Sequence, residues 1–325
     1  MKKVIQQNSA DLEWIYSLAS QLGGKVEGNY IVVPEEIRTG NNYFLNCGEG
    51  IVSLYSDVTY NKDFCITQKN LKNDFVGLYF NLSQSETKLS FGANSNMMGS
   101  WFYNLSLIDS SLEFQYNIQK GSKVFIFCIF IKKEIIKSFL KKNILFRKKL
   151  DLLMDPTQNT FIHMDRMSDE SFHILMNLQK QKVDDPLFNL HMIGTTNLLM
   201  SKYLKKIAKN IIISQVNEVD LLNIIESQRY LIENLEKSFP GIKFLAYKAH
   251  MSDSKYKLLF KKITGSPPNV FYLNNKLFKA KELIDEKQLT IGEICKQLNF
   301  GSATYFAAKF KLKFGILPKT YSQQL

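Results

Sequence analysis

Through the first 130 or so residues, apolar positions come in short runs rich in β-branched and aromatic side chains: Tyr30–Val33, Tyr43–Cys47, Ile51–Tyr60, Phe75–Leu82, Ser100–Leu107 and Lys123–Ile131. Clusters of Gly, Asn and Ser separate them, a spacing that predicts an antiparallel sandwich or small barrel. Ile51, Ser53, Tyr55 and Asp57 alternate with Val52, Leu54 and Val58, the two-residue period of a half-buried strand. Ahead of most of these runs, Asp11–Leu22 predicts an amphipathic helix closed by Gly23-Gly24.

Near Lys132 the period changes. From Lys132 to Lys142 apolar residues recur at three and four, and the chain reads as helical from there to Phe239, with breaks at Asp155-Pro156 and Asp184-Asp185-Pro186. Val219, Leu222, Ile225, Gln228/Arg229 and Ile232 form one stripe along a long helix. Such a stripe serves either as a dimer seam or as a domain-packing face.

The C-terminal stretch repeats itself. Phe260-Lys261-Lys262-Ile263-Thr264-Gly265-Ser266-Pro267-Pro268-Asn269-Val270-Phe271 matches Phe310-Lys311-Leu312-Lys313-Phe314-Gly315-Ile316-Leu317-Pro318-Lys319-Thr320-Tyr321 at a constant offset of fifty. Two copies of one supersecondary unit follow. In each copy a short helix comes first, Ile242–Ala249 or Ile291–Leu298, the second opened by the capping box Thr290/Glu293. A tight turn leads to Ser252 or Ser302, natural N-caps for a second helix. Gly265 and Gly315 stop that helix, and Pro268 and Pro318 begin the next. Helix, short turn, helix is the arrangement whose second helix lies in the DNA major groove. Between the copies, Asn269–Asp285 predicts one unbroken helix of about 25 Å, which holds the two reading heads about one DNA turn (~34 Å) apart.

Composition sharpens this picture. At about 150 residues per domain, 325 residues predict two domains and a connecting segment. The apolar fraction is 45%, enough for buried cores and against a disordered chain. The longest apolar run, Val124–Ile131, falls far short of the ~20 residues of a membrane-spanning helix. Met1-Lys2-Lys3 is not followed by a sustained apolar stretch, so no secretory signal is expected. Cys47, Cys65, Cys128 and Cys295 stand apart, which predicts reduced thiols and a cytoplasmic protein. The net charge is +12, and its location matters most. Gly241–Leu325 carries fifteen lysines, no arginine and five acidic residues, a net of +10 on a chain whose remainder is nearly neutral. A basic module on a neutral body is the footprint of polyanion binding.

The residues Leu245-Ala246, Met251-Ser252, Phe260-Lys261, Gly265, Pro268, Lys276-Leu277, Ala280, Leu283-Ile284, Leu289-Thr290-Ile291, Glu293-Ile294, Phe300, Tyr305-Phe306, Phe310-Lys311, Gly315, Pro318 and Tyr321, in this order and spacing, closely resemble the C-terminal DNA-binding domain of AraC/XylS-type transcription regulators. The resemblance covers roughly residues 235–325. It implies double-stranded promoter or operator DNA as the partner, RNA polymerase as a second, a homodimer, an activator's role and a cupin-like β-rich sensor in front. The long helical middle resembles the branch of the pyochelin-receptor regulator, which implies a small-molecule effector such as a siderophore. Three positions depart from the family pattern: Leu258 and Ala308 stand where an arginine is usual, and Asn299 stands where glycine is usual.

Outward positions on the two recognition helices give the candidate DNA contacts. Ser254, Lys257, Thr304 and Tyr305 are base-edge candidates, since lysine donates to guanine and hydroxyls serve several bases. Lys261, Lys262, Lys311 and Lys313 are phosphate candidates, and Lys255, Leu258, Ala308 and Lys309 complete the surface. No phosphate-binding loop, dinucleotide fingerprint, zinc-protease or serine-hydrolase motif is present. The four histidines (His163, His173, His191, His250) lack ligand spacing, so neither metal nor cofactor is expected. Met97–Tyr103 reads as a sheet face or as part of a ligand pocket.

The expectation is therefore an α+β multidomain chain. Residues 1–131 form an antiparallel β-barrel or cupin-like sensor, 132–238 a helical linker or dimerisation region, and 239–325 an all-α tandem helix-turn-helix domain. The function expected is sequence-specific transcription regulation, not catalysis, with no membrane partner. An enzyme or DNA-repair protein carrying such a module, and a ligand-independent regulator controlled by a protein partner, are the competing readings.

Overall fold

The computed structural model describes residues 1–85, 87–91, 94–100, 103–140, 162–208 and 218–324. They form two compact units, Met1–Gln215 and Val216–Leu325.

The first unit is built on two sheets. Strands β1 (Lys2–Gln6), β6 (Phe64–Gln68), β11 (Phe114–Ile118), β8 (Thr87–Phe91) and β9 (Asn94–Met98) lie side by side in that order. The larger sheet has the order β13 (Ile162–Asp165), β10 (Leu105–Asp109), β7 (Phe75–Asn81), β12 (Lys123–Lys132), β5 (Ile51–Tyr60), β4 (Arg38–Gly48), β3 (Tyr30–Val32) and β2 (Lys25–Glu27). Pairing is antiparallel apart from β1 with β6. Among the described residues no strand pairing joins the two sheets, so the β-rich region is a pair of facing sheets and not a closed barrel.

Strand β12 shows how one sequence builds two cores. Side chains alternate across a strand. Val124, Cys128 and Phe130 point toward the other sheet, where they meet Phe64, Ile66 and Ile118 and the helix α1 (Trp14–Gln21). Phe125, Phe127, Ile129 and Ile131 point the other way. There they pack against α3 (Asp169–Gln179) and α4 (Phe188–Ala208), which follow α2 (Lys133–Leu140). Both faces of the large sheet are thus covered, and β5 is buried on both sides, with Val52 and Leu54 in one core and Tyr55 in the other. The half-buried strand expected at Ile51–Tyr60 is corrected accordingly. A second correction concerns the stretch expected to be wholly helical: Ile162–Asp165 is a strand, and it pairs with β10 through Leu105↔Asp165 and Leu107↔His163. The break expected at Asp155-Pro156, and Trp101-Phe102 of the aromatic stretch, lie outside the described residues.

The second unit is all helix: α5 (Glu218–Glu233), α6 (Ile242–Lys248), α7 (Asp253–Thr264), α8 (Pro268–Asp285), α9 (Ile291–Gln297), α10 (Ala303–Phe314) and α11 (Pro318–Gln323). Helix α5 turns Ile224, Ile225 and Leu231 inward, while Val219 and Leu222 stay exposed. Its Ser227 hydroxyl shares a hydrogen bond of 2.7 Å with the buried Tyr256 hydroxyl of α7. Of the stripe expected on α5, Ile225 thus packs within this unit, while Val219 and Leu222 do not.

Candidate nucleic-acid interface

The two helix-turn-helix copies are α6–α7 and α9–α10, and the same local chemistry shapes both. Ser252 and Ser302 accept from the backbone N–H of Lys255 (3.3 Å) and Tyr305 (3.1 Å), which fixes where each second helix begins. Thr290 and Glu293 form a reciprocal capping box at the start of α9, with 2.8 Å and 3.3 Å bonds. Each first helix ends in a matching turn: Met251 N–H donates to Ala246 C=O at 2.9 Å, and Phe300 N–H donates to Cys295 C=O at 3.0 Å. One residue in each turn takes the left-handed conformation, His250 at φ 53° and Asn299 at φ 48°. Both types tolerate that region better than most, so the turn forms without glycine. Gly265 (φ 84°) and Gly315 (φ 81°) close the second helices.

Helix α8 joins the copies and belongs to both cores. Its N-terminal Phe271 packs edge-on against Phe260 of the first, with ring centroids 5.4 Å apart. Its later Leu277, Ala280, Leu283 and Ile284 cluster with Ile294, Phe306 and Phe310 of the second. Between these contacts sits Lys276, buried, its ammonium donating to the Lys237 carbonyl at 2.8 Å and lying 4.8 Å from the Tyr272 ring centroid. Burial pulls this amine down to about 8. Lys276 stands in the family pattern, but its burial was not legible, because a lysine in a basic domain reads as a solvated one.

Placement of the candidate contacts is uneven. On α7, Ser254, Lys257, Leu258 and Lys261 are exposed and Lys262 is half-buried. Lys255 is exposed too, but its ammonium is held 2.8 Å from the Asp220 carboxylate of α5. On α10, Thr304, Tyr305, Ala308 and Lys311 are exposed. Lys309 is half-buried with its ammonium 5.5 Å from the Tyr305 ring centroid, and Lys313 lies 5.0 Å from that of Phe278. The unencumbered cations of the two helices are thus Lys257, Lys261 and Lys311. Asp220, which takes Lys255, lies outside the repeat and is invisible to any reading of it.

A second feature lies between the two sheets of the first unit. A cavity of about 110 Å³ is walled by Leu54, Ile66, Leu89, Phe114, Val124 and Ile126 among other apolar side chains. Among the described residues that line it, Arg38 is the one cation and none is a carboxylate. Arg38 is 6% exposed, and its Nη2 has no hydrogen-bond partner; Asn42 Oδ1 and Ser106 Oγ, in the same lining, have none either. Buried polar groups are nearly always paired, so these atoms are sites for ordered water or for the polar atoms of a ligand. The sequence pointed to none of these residues, since Arg38 follows Glu35-Glu36 and reads as surface. Met98 of the aromatic stretch lines the same cavity.

Comparison with known proteins bears on the second unit. A family described as a helix-turn-helix domain matches residues 245–324. The "Probable transcriptional regulator LumQ" of Photobacterium leiognathi is 24% identical over 163 residues, 50% of this chain and 62% of that protein. The "F1 operon positive regulatory protein" of Yersinia pestis is 31% identical over 93 residues, 29% of this chain and 31% of that one. The chain thus spans less than two thirds of each of these relatives. A crystal structure of ToxT from Vibrio cholerae covers 85% of this chain and 98% of its own at 15% identity and a TM-score of 0.30. Tandem helix-turn-helix copies, a shared central helix and the family match over 245–324 agree: the C-terminal domain of this chain is a helix-turn-helix domain of the AraC type.

Proposed function

We propose that the chain is a sequence-specific transcription regulator of the cytoplasm, in which α7 and α10 enter successive major grooves and a small molecule in the inter-sheet cavity sets the affinity for DNA. The observation that supports this most is the pairing of two capped, outward-facing second helices on one central helix, in a segment carrying +10 of the chain's +12. Lysine-rich surfaces gain affinity by releasing the counterions of the phosphate backbone, and the second helix of such a unit reads base edges.

The effector enters this reading through the cavity. The space of about 110 Å³ suits a small organic effector whose polar end meets Arg38. Such a ligand acts only if its affinity differs between the DNA-competent and incompetent states. Homodimerisation, contact with RNA polymerase and an activator's role belong to the same proposal. Among the described residues no helix is long and apolar enough to cross a membrane.

Genome-wide mapping of the DNA bound by the chain tests the reading. Discrete peaks sharing one motif of two half-sites about one helical turn apart are expected. Uniform occupancy without a motif overturns sequence-specific regulation. A thermal-shift screen in which no small molecule raises Tm removes the effector and leaves a regulator governed by its abundance or by a protein partner.

A further inference from the structure

The fifty-residue offset that relates the two copies also pairs their outward side chains. Ser254 of α7 corresponds to Thr304 of α10, and Leu258 corresponds to Ala308. Each recognition helix therefore presents a hydroxyl in its first turn and an apolar group one turn later, on the same face. Leu258 is 68% exposed, and Ala308 is exposed as well. No arginine occurs anywhere after Arg229, so the side chain that most often reads guanine is missing from the whole domain.

The cations do not fill that gap evenly. Lys257 of α7 is free to reach a base edge, but its counterpart in α10 is the half-buried Ala307. Lys309 is drawn over the Tyr305 ring, and Lys311 lies two turns along the helix, where phosphate contact is the expected role. The base-reading turns of α10 therefore hold Ala303, Thr304, Tyr305 and Ala308, and no unencumbered ammonium. An apolar group facing the major groove has one partner there that rewards it, the C5 methyl of thymine.

We propose that Leu258 and Ala308 read thymine methyl groups, so that the operator is biased to A·T pairs, with Lys257 supplying at most one guanine contact in the α7 half-site and none arising in the α10 half-site. The proposal rests on the DNA-binding reading above and adds the chemistry of the bases. The occupant of this apolar surface is duplex DNA because Lys257, Lys261 and Lys311 flank it and the whole domain is basic.

The test starts from a random-sequence selection with the full-length chain at fixed salt. In the selected duplex, single thymines are then replaced by uracil, which deletes the C5 methyl and leaves base pairing intact. One position in each half-site should lose about fourfold in affinity, the factor that corresponds to one methyl group removed from contact. Leu258→Ala should abolish the uracil effect in the α7 half-site alone, and Ala308→Ser that in the α10 half-site alone. Leu258→Arg should turn the preference at its position toward guanine. Both native side chains are exposed, so the variants are expected to fold, and retained binding to the other half-site verifies this in the same assay. A selected site with guanine at these positions, or affinity indifferent to uracil, overturns the proposal and leaves DNA recognition standing. Unchanged DNA selection by Leu258→Ala with loss of a polymerase contact assigns the surface to protein and also overturns it. Enrichment of no DNA at all removes the regulator reading and this one together.

Discussion

Lys257 and Lys311 carry the same charge at different depths along their helices, and they should fail differently. Lys257 lies in the second turn of α7 and Lys311 in the third turn of α10; in the proposed complex the first meets a base edge and the second the phosphate backbone. In titrations at fixed salt, Lys257→Ala should cost about 1–3 kcal/mol at one base pair and relax the preference there. Lys311→Ala should weaken binding to every sequence alike and reduce the salt slope by about one. The same two residues show what a sequence reveals at this scale. Caps such as Ser252, Ser302 and Thr290 were legible because their partners sit three residues away. The ion pair of Lys255 with Asp220 was not legible, because its partner is 35 residues distant. Nothing local encodes that pair. The cavity's Arg38 and Ser106 were hidden for the same reason, being brought to one wall only by the folding of separate strands.

Elements were legible where one face alone is buried. Helix α1 and the repeated helices α7 and α10 kept their stripes clear and lie where the pattern put them, give or take the ends. Strand β5 blurred, because burial on both sides removes the contrast that a two-residue period needs. Strand β13 was lost altogether, since four residues within a helical stretch give no period to detect. Helix α8 carries a thermodynamic consequence of its own. Lys276 titrates at about 8 when folded and near 10.5 when unfolded. Between these values the unfolded chain holds more protons, so stability rises with pH. Chemical denaturation followed through the C-terminal domain should show a gain of about 2 kcal/mol from pH 7.5 to 9.5. Lys276→Met should flatten that slope. A wild-type curve that falls over this range refutes the assignment. Tyr272, whose phenol burial pushes up to about 12, stays neutral throughout the window.

At the scale of the molecule, charge and cavity are divided between the two units. The basic unit holds the side chains proposed to grip DNA, and the nearly neutral one holds an internal space with a guanidinium whose Nη2 has no partner. The C-terminal architecture was legible almost whole, because a repeat prints its geometry in the chain twice. The two-sheet layout of the N-terminal unit was not, because β1 meets β6 and β10 meets β13 across long separations in sequence. Helix α8 is rooted in both cores, so it acts as an axle with a reading head keyed to each end. Inserting one alanine near its middle turns one head about 100° against the other, and seven alanines restore the phase to within about 20° while lengthening the axle by ~10 Å. Affinity for a two-half-site operator should collapse with the first insertion. With the second it should return only on DNA whose half-sites are moved apart to match, so the spacing between half-sites is written in the helical phase of this single element.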